Sequence, residues 1–221
     1  MSRSFDFTDE ERRGVYRAIH ERRDVRAHFL PDPVPDDALA RILDAAHHAP
    51  SVGFMQPWDF LVIRDPAVRQ EVHRNFACAR RRSAEIYEGG QRALYDGLKL
   101  AGILEAPINL CITCDRARPK GGGLGRQTDS AVDLYSTVCA VQNLWLAARA
   151  ESLGVGWVSI LDLEPLKATL GIPPEIAVVA YLCLGYVSEF RPLPDLEEKG
   201  WETRSPLDDV VHFDHWGCHK K

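Results

Sequence analysis

The chain has 221 residues, 45% hydrophobic and 27% charged, the balance of a globular protein with a substantial core. Its 27 Lys and Arg against 32 Asp and Glu give a net charge of -5. That argues against a broad basic surface for nucleic acid or anionic lipid, while leaving room for a local basic pocket. No run approaches the roughly 18 apolar residues of a membrane span, and residues 1–13 lack the apolar stretch of an export signal. The scattered Cys78, Cys111, Cys114, Cys139, Cys183 and Cys218 then read as reduced residues, and the expected location is the cytoplasm.

Thr8 and Glu11 stand at capping-box spacing, which predicts a first helix from Asp9 to about Arg23. Arg22 to Phe29 leaves that helix, and Pro31, Pro33 and Pro35 enforce an extended stretch. A second helix spans about Asp36 to His48, with Leu39, Ile42, Leu43 and Ala46 at helical spacing, and Ala49-Pro50-Ser51 stops it. Phe60 to Ile63 is a short apolar run between breakers, the pattern of a buried strand. Pro66 opens a helix that is basic around Arg80, Arg81 and Arg82, and a further helical stretch runs from about Gly89 to Leu104. Pro107 to Cys114 reads as another buried strand, and the Gly-rich, basic Arg116 to Gln127 as a mobile loop.

Thr128 to Ala150 carries Ala131, Leu134, Val138, Val141, Leu144 and Trp145 at spacings of three and four. With apolar residues on several sides, it is predicted as the central buried helix. Two more strands, Val155 to Ile160 and Ala177 to Leu184, flank a short helix near Leu163 to Leu170. From Phe190 the chain is Pro-rich and charged, ending in Val210 to Trp216. Such a tail, with apolar anchors but no core of its own, suits another surface such as a second subunit. Strands spaced by helices, without repeat or linker, point to one α/β domain.

Several motifs invite chemistry. Gly121-Gly122-Gly123-Leu124-Gly125 lacks the Gly-x-Gly-x-x-Gly turn joining strand directly to helix, so a flexible lid is the better reading than a dinucleotide loop. Cys111 and Cys114 have redox-motif spacing but lie in a predicted strand, with no helix N-terminus to stabilise a thiolate. His212, His215, Cys218 and His219, and the pair His47-His48, lack regular structure to fix metal-ligand geometry, and no metal is expected. Arg22-Arg23-x-x-Arg26 is different. Three guanidiniums within five residues repel one another unless an anion sits among them, although a solvated basic helix end would also fit. The irregular turn Ala49 to Trp58, with polar Ser51 and Gln56, leads straight into a strand, where a planar ligand's edge could be read.

In their order and spacing, these segments resemble the nitroreductase-like flavoprotein family. The likeness is carried by Arg22-Arg23-x-x-Arg26, Ala49-Pro50-Ser51 with Gln56-Pro57-Trp58, Gln142-Asn143-Leu144 and Gly154-Val155-Gly156-Trp157. It extends to Arg204-Ser205-Pro206-Leu207 with Val210-Val211-His212. The resemblance implies one α+β domain over residues 1–221, a sandwich whose central mixed sheet is flanked by helices. It also implies an intertwined homodimer with FMN at the subunit interface and a C-terminal arm from about residue 190 wrapping the partner. Carried over, Arg22, Arg23 and Arg26 hold the phosphate and the ribityl chain or ring edge, with Asp24 and Val25 beside them. Ser51 and Gln56 approach the ring, Val155, Gly156 and Trp157 lie along its other side, and Arg204 completes phosphate binding.

Two departures from the family pattern matter. Most members carry Ser or Thr where Asp24 stands, and often Asn and Arg at the positions of Phe54 and Met55. An acid beside the flavin, an apolar entrance turn and the run Gly154 to Leu161 resemble a branch of the family that consumes its flavin. The implied activity is oxygen-dependent fragmentation of reduced FMN, supplied by a separate flavin reductase. Its products are 5,6-dimethylbenzimidazole, the lower ligand of cobalamin, and erythrose 4-phosphate. Asp24 would move protons at the ribityl carbon joined to the ring, and Ser159 would hydrogen-bond the flavin and steer the oxygen chemistry. The structural alternatives are an ion pair of Asp24 with Arg22 or Arg26, and a satisfied strand hydroxyl at Ser159. Two other functions stay open: an NAD(P)H-dependent nitroreductase or dehalogenase that recycles FMN, and an FMN carrier or sensor without chemistry.

Overall fold

A computed structural model describes residues 5–219. Helix α1 (Asp9–Glu21) starts at the expected capping box: the Thr8 hydroxyl accepts the Glu11 N–H at 3.2 Å, and the Glu11 carboxylate accepts the Thr8 N–H at 2.7 Å. It ends at Arg22, whose backbone turns extended. Helix α2 (Asp36–His47) follows the proline stretch, then β1 (Trp58–Ile63), α3 (Pro66–Ala84), α4 (Gly89–Gly97) and β2 (Ile108–Cys114). Helix α5 (Val132–Ala150), β3 (Leu153–Trp157), α6 (Leu163–Leu170), β4 (Ala177–Tyr186) and the short α7 (Asp195–Glu198) complete the chain's regular elements.

The sheet order is β1-β2-β4-β3, and every pairing between these strands is antiparallel. This corrects the α/β pattern reading, because helices between strands do not by themselves fix strand direction. It also narrows the expected mixed sheet. Among the described residues the parallel pairing is a single bridge, Asp24 with Val155, at the β3 edge. Boundaries shift as well. The strand expected over Val155 to Ile160 lies over Leu153–Trp157, so Ser159 falls outside it. The fourth helix stops at Gly97, where Leu98 turns extended, and β1 begins two residues before Phe60.

Strand periodicity divides the core. Ile108, Leu110 and Ile112 of β2, with Ala180, Leu182 and Leu184 of β4, face α2 and α5. The intervening Cys111, Tyr181 and Cys183 face Val72 and Phe76 of α3 and Leu166 of α6. Helices on both faces explain why every residue of β2 is buried. Helix α5 is the central helix its pattern predicted, and full burial of Leu144 within it stabilises the fold by about 1.5–3 kcal/mol. Helix α1, by contrast, has no buried residue, and its Val15, Tyr16 and Ile19 are exposed. No helix among the described residues is long and apolar enough to cross a membrane.

Candidate functional site

The β3 edge organises the site. The Val25 N–H donates to the Val155 carbonyl at 2.9 Å, laying the segment after α1 alongside β3. Gly156 permits this approach, since a β-carbon there would stand 1.9 Å from the Val25 carbonyl oxygen. The Trp157 N–H then donates to Asp24 Oδ1 at 2.9 Å, and the Arg26 guanidinium pairs with Oδ2. Burial pushes the Asp24 carboxyl above its ordinary pKa, against the opposing pull of Arg26, the Trp157 N–H and Arg22, with Asp195 adding to the rise. Its side chain keeps 31% of its surface open.

That opening faces a cavity of about 570 Å³ lined by Ile19, His20, Arg22, Arg23, Asp24, Pro194 and Arg204. Arg22 and Arg204, 182 positions apart, thus line the same cavity. The Arg22 guanidinium carbon lies 5.3 Å from the centre of the Trp145 ring, and no hydrogen bond or ion pair holds its charge among the described residues. Arg23 instead braces the wall, donating to the His20 carbonyl at 2.9 Å, the Arg22 carbonyl at 2.7 Å and the Pro192 carbonyl. The Nε atoms of Arg22 and Arg23 are both buried without a hydrogen-bond partner. Arg26, only 13% exposed, does not line the cavity.

Ser51 and Gln56 lie elsewhere. Their turn precedes β1, at the opposite edge of the sheet from β3. The Val52 N–H bonds the Ser136 hydroxyl of α5 at 3.1 Å, whereas the Trp145 ring N–H bonds the Arg23 carbonyl at 3.2 Å. Nine residues of helix separate those anchors, about 14 Å along its axis. The turn is strained: Gly53, Phe54 and Gln56 have φ of 58°, 54° and 43°. The Ser51 hydroxyl accepts the Gln56 N–H at 3.2 Å, and Lys120 donates to the Gln56 side-chain oxygen.

The segment expected as a mobile lid is fastened. Arg118 donates to the Gln56 carbonyl at 2.8 Å and the Trp58 carbonyl at 3.1 Å, and Arg126 reaches buried Asp133 at 2.7 Å. Ser159 is exposed after the end of β3, away from the arginine cavity lining. Val155 and Gly156 are buried against Val25 rather than lining that cavity. Burial pushes the Cys111 thiol up to about 12 and raises that of Cys114, and all six cysteines are free. In the tail, His212 packs on the rings of Trp216 and His219, each at 4.5 Å, and no group of three or more metal-ligating side chains occurs among the described residues.

Sequence reasoning missed His20, Pro194 and Trp145. His20 carries a weak signal, standing two residues before the arginine run. Trp145 has the only other one: a polar ring N–H on a buried helix needs an acceptor, here the Arg23 carbonyl. The first part of the tail also packs on its own chain. Trp201 contacts the rings of Tyr87 at 5.4 Å and Tyr95 at 6.3 Å.

Known proteins share this architecture. The family model described as Nitroreductase family matches residues 19–186. The chain is 43% identical over 200 residues to a 5,6-dimethylbenzimidazole synthase of Rhodospirillum rubrum, covering 90% of this chain and 94% of that protein. A 5,6-dimethylbenzimidazole synthase of Rhodobacter capsulatus is 38% identical, with 92% and 98% covered. The fold matches the crystal structure of oxidised iodotyrosine deiodinase bound to FMN and 3-iodo-L-tyrosine with a TM-score of 0.73. That match has 21% identity and covers 91% of this chain and 100% of the other.

Proposed function

Because the chain belongs to the nitroreductase family, and within it to the 5,6-dimethylbenzimidazole synthases, we propose that it fragments reduced FMN with molecular oxygen. The products are 5,6-dimethylbenzimidazole and erythrose 4-phosphate. One observation carries this reading: a carboxyl of raised proton affinity, Asp24, stands in the wall of an arginine-lined cavity. The residues present fit a phosphate-bearing ligand. Buried, unpartnered Nε atoms on Arg22 and Arg23 leave donors to satisfy, and the cavity volume falls in the range of small-molecule sites.

Reduced FMN, when bound, supplies the electrons for the oxygen chemistry. Arg22 and Arg204 hold its phosphate, while Arg23 keeps the wall in place. Asp24, its proton affinity raised by burial, would serve the ribityl carbon joined to the ring. Each of its oxygens has one partner, leaving lone pairs for that proton. Ser159, exposed beyond β3, would donate to the flavin and steer the oxygen chemistry.

A homodimer completes the site. The arginine–Asp24 cavity and the Ser51–Gln56 turn lie at opposite sheet edges, so each ligand takes one from each subunit. Support comes from α1 without a buried residue and from exposed Leu207, Val210 and Trp216 in the arm from about residue 190. A separate flavin reductase supplies the reduced FMN, in the cytoplasm.

The test is to mix the protein with chemically reduced FMN in air and identify products by mass spectrometry. Loss of FMN with appearance of 5,6-dimethylbenzimidazole is expected. Sustained NAD(P)H oxidation with intact FMN would instead mark a conventional nitroreductase, and stable FMN without product a carrier; either outcome sinks the proposal.

A further inference from the structure

We propose that Asn75 is a positioning residue for Ser159, acting through Asp162 to fix the segment on which that serine stands. This rests on the reading of Ser159 as the residue that steers the oxygen chemistry.

Beyond β3 the chain leaves the sheet, yet residues 158–162 are fastened at both ends. The Val158 N–H donates to the Tyr181 carbonyl at 2.8 Å, and the Leu161 N–H closes a tight turn onto the Ser159 carbonyl at 3.0 Å. At the far end the Asp162 N–H donates to Asn75 Oδ1 at 2.8 Å, and Asn75 Nδ2 donates to the Asp162 carbonyl, also at 2.8 Å. One amide thus satisfies both backbone groups of one residue, and a single orientation of that amide can do so. Between the two ends, Ile160 and Leu161 pack on the core that holds Val72 and Phe76, from the same helix α3 as Asn75.

Asp162 gives more than its backbone to α3. It stands at the N-cap of α6 and is a residue type favoured there, but its side chain makes no capping bond. The carboxylate turns instead to Arg82, two helical turns after Asn75 and so on the same face of α3. That ion pair is 59% and 37% exposed, so it contributes little alone, and the half-buried Asn75 amide is the principal tie. A hydroxyl on an irregular segment points where its backbone directs it. Misplacing such a group by about 1 Å can cost about 100-fold in rate.

Reduced FMN that escapes fragmentation gives two electrons and two protons to oxygen, leaving oxidised FMN and hydrogen peroxide, so both fates of the flavin can be counted. In full-length Asn75→Ala, the yield of 5,6-dimethylbenzimidazole per reduced FMN consumed is expected to fall about 5- to 50-fold. The balance is recovered as oxidised FMN with hydrogen peroxide. FMN affinity, read from flavin fluorescence, is expected to change less than about threefold. Without flavin, amide hydrogen exchange over residues 159–162 is expected to quicken about tenfold, the scale of one lost hydrogen bond. Ser159→Ala sets the reference loss of yield, and adding Asn75→Ala to it is expected to lower the yield no further. An unchanged yield in Asn75→Ala overturns the proposal, as does parental exchange over residues 159–162 or a double variant in which the two losses multiply. Should Asn75→Ala fail to fold, Asn75→Asp keeps the acceptor and loses the donor, and an unchanged yield there is equally decisive against it. A parent protein that makes no product sinks the functional reading, and a parental yield in Ser159→Ala sinks the role given to Ser159. Both patterns differ from a defective Ser159→Ala beside an unchanged Asn75→Ala, which removes Asn75 alone.

Discussion

The carbonyl oxygen of Val25 lies so close over Gly156 that a β-carbon there would stand 1.9 Å from it. At Gly154 the same addition meets side-chain atoms instead, Val187 Cγ1 at 2.6 Å and Val25 Cγ2 at 3.1 Å. Side chains can rotate away, whereas a carbonyl fixed in the main chain cannot. Gly156→Ala is therefore expected to cost about 1–3 kcal/mol, and Gly154→Ala less. Urea unfolding at constant slope measures both, and equal midpoints for the two variants would show that the backbone contact is not tight.

Asp24 gives a prediction with a definite sign. Its pKa is raised in the fold, so between the ordinary aspartate value and the raised one the folded chain holds a proton that the unfolded chain has released. Stability falls as pH rises through that window, and above it the full cost remains. Asp24→Asn mimics the protonated form. It is expected to melt higher than the parent near neutral pH, with the gap closing below the ordinary aspartate pKa. The same variant should bind FMN and yield no 5,6-dimethylbenzimidazole. A lower melting temperature at neutral pH would contradict the raised pKa, and an unchanged yield would remove Asp24 from the mechanism.

Much of this was legible in the chain because it is local. The arginines at 22, 23 and 26 with Asp24 occupy five residues, and the capping box and helical periods are likewise short-range. What was not legible depends on contacts far apart in sequence. Strand direction is one case, since a helical connection can return the chain either way. The early end of β3 is another: Val158 still bonds the Tyr181 carbonyl at 2.8 Å, but the chain then leaves the sheet and carries Ser159 out. Glycines and basic residues at 116–127 suggested mobility, yet Arg118 finds carbonyls some sixty positions earlier, at Gln56 and Trp58. Composition describes a loop's own freedom, not the partners that remove it.

Arg22 is a free charge of the cavity, held among the described residues only against Trp145. A charge-assisted bond to phosphate is worth about 1.5–3 kcal/mol, so Arg22→Ala should weaken FMN binding about 10- to 100-fold. Added salt should weaken binding in the parent more than in the variant, because part of the attraction is screened. Arg23→Ala should differ in kind, lowering the melting temperature as well, since its guanidinium ties α1 to Pro192. Isothermal titration across a salt series, with melting curves, separates the two. Identical salt slopes for parent and Arg22→Ala would show that Arg22 does not meet the phosphate.

Arg126 and Asp133 pin the Gly-rich loop to α5. Arg126 donates from Nε to one Asp133 oxygen at 2.8 Å, its Nη2 lies 2.7 Å from the same oxygen, and Nη1 donates to the Arg118 carbonyl at 2.9 Å. Asp133 is 3% exposed and Arg126 20%, so removing the carboxylate strands a largely buried cation. Asp133→Ala is expected to cost about 3 kcal/mol, the lower end for a broken buried pair given Arg126's partial access to water. The loss should be local in its first effect, freeing residues 116–127 and with them Arg118, which holds the Gln56 turn. Trypsin under native conditions should then cut after Arg116, Lys120 or Arg126 well before the rest of the chain. Cleavage at the parental rate would mean that Arg118 and Lys120 fasten the loop without help from Asp133.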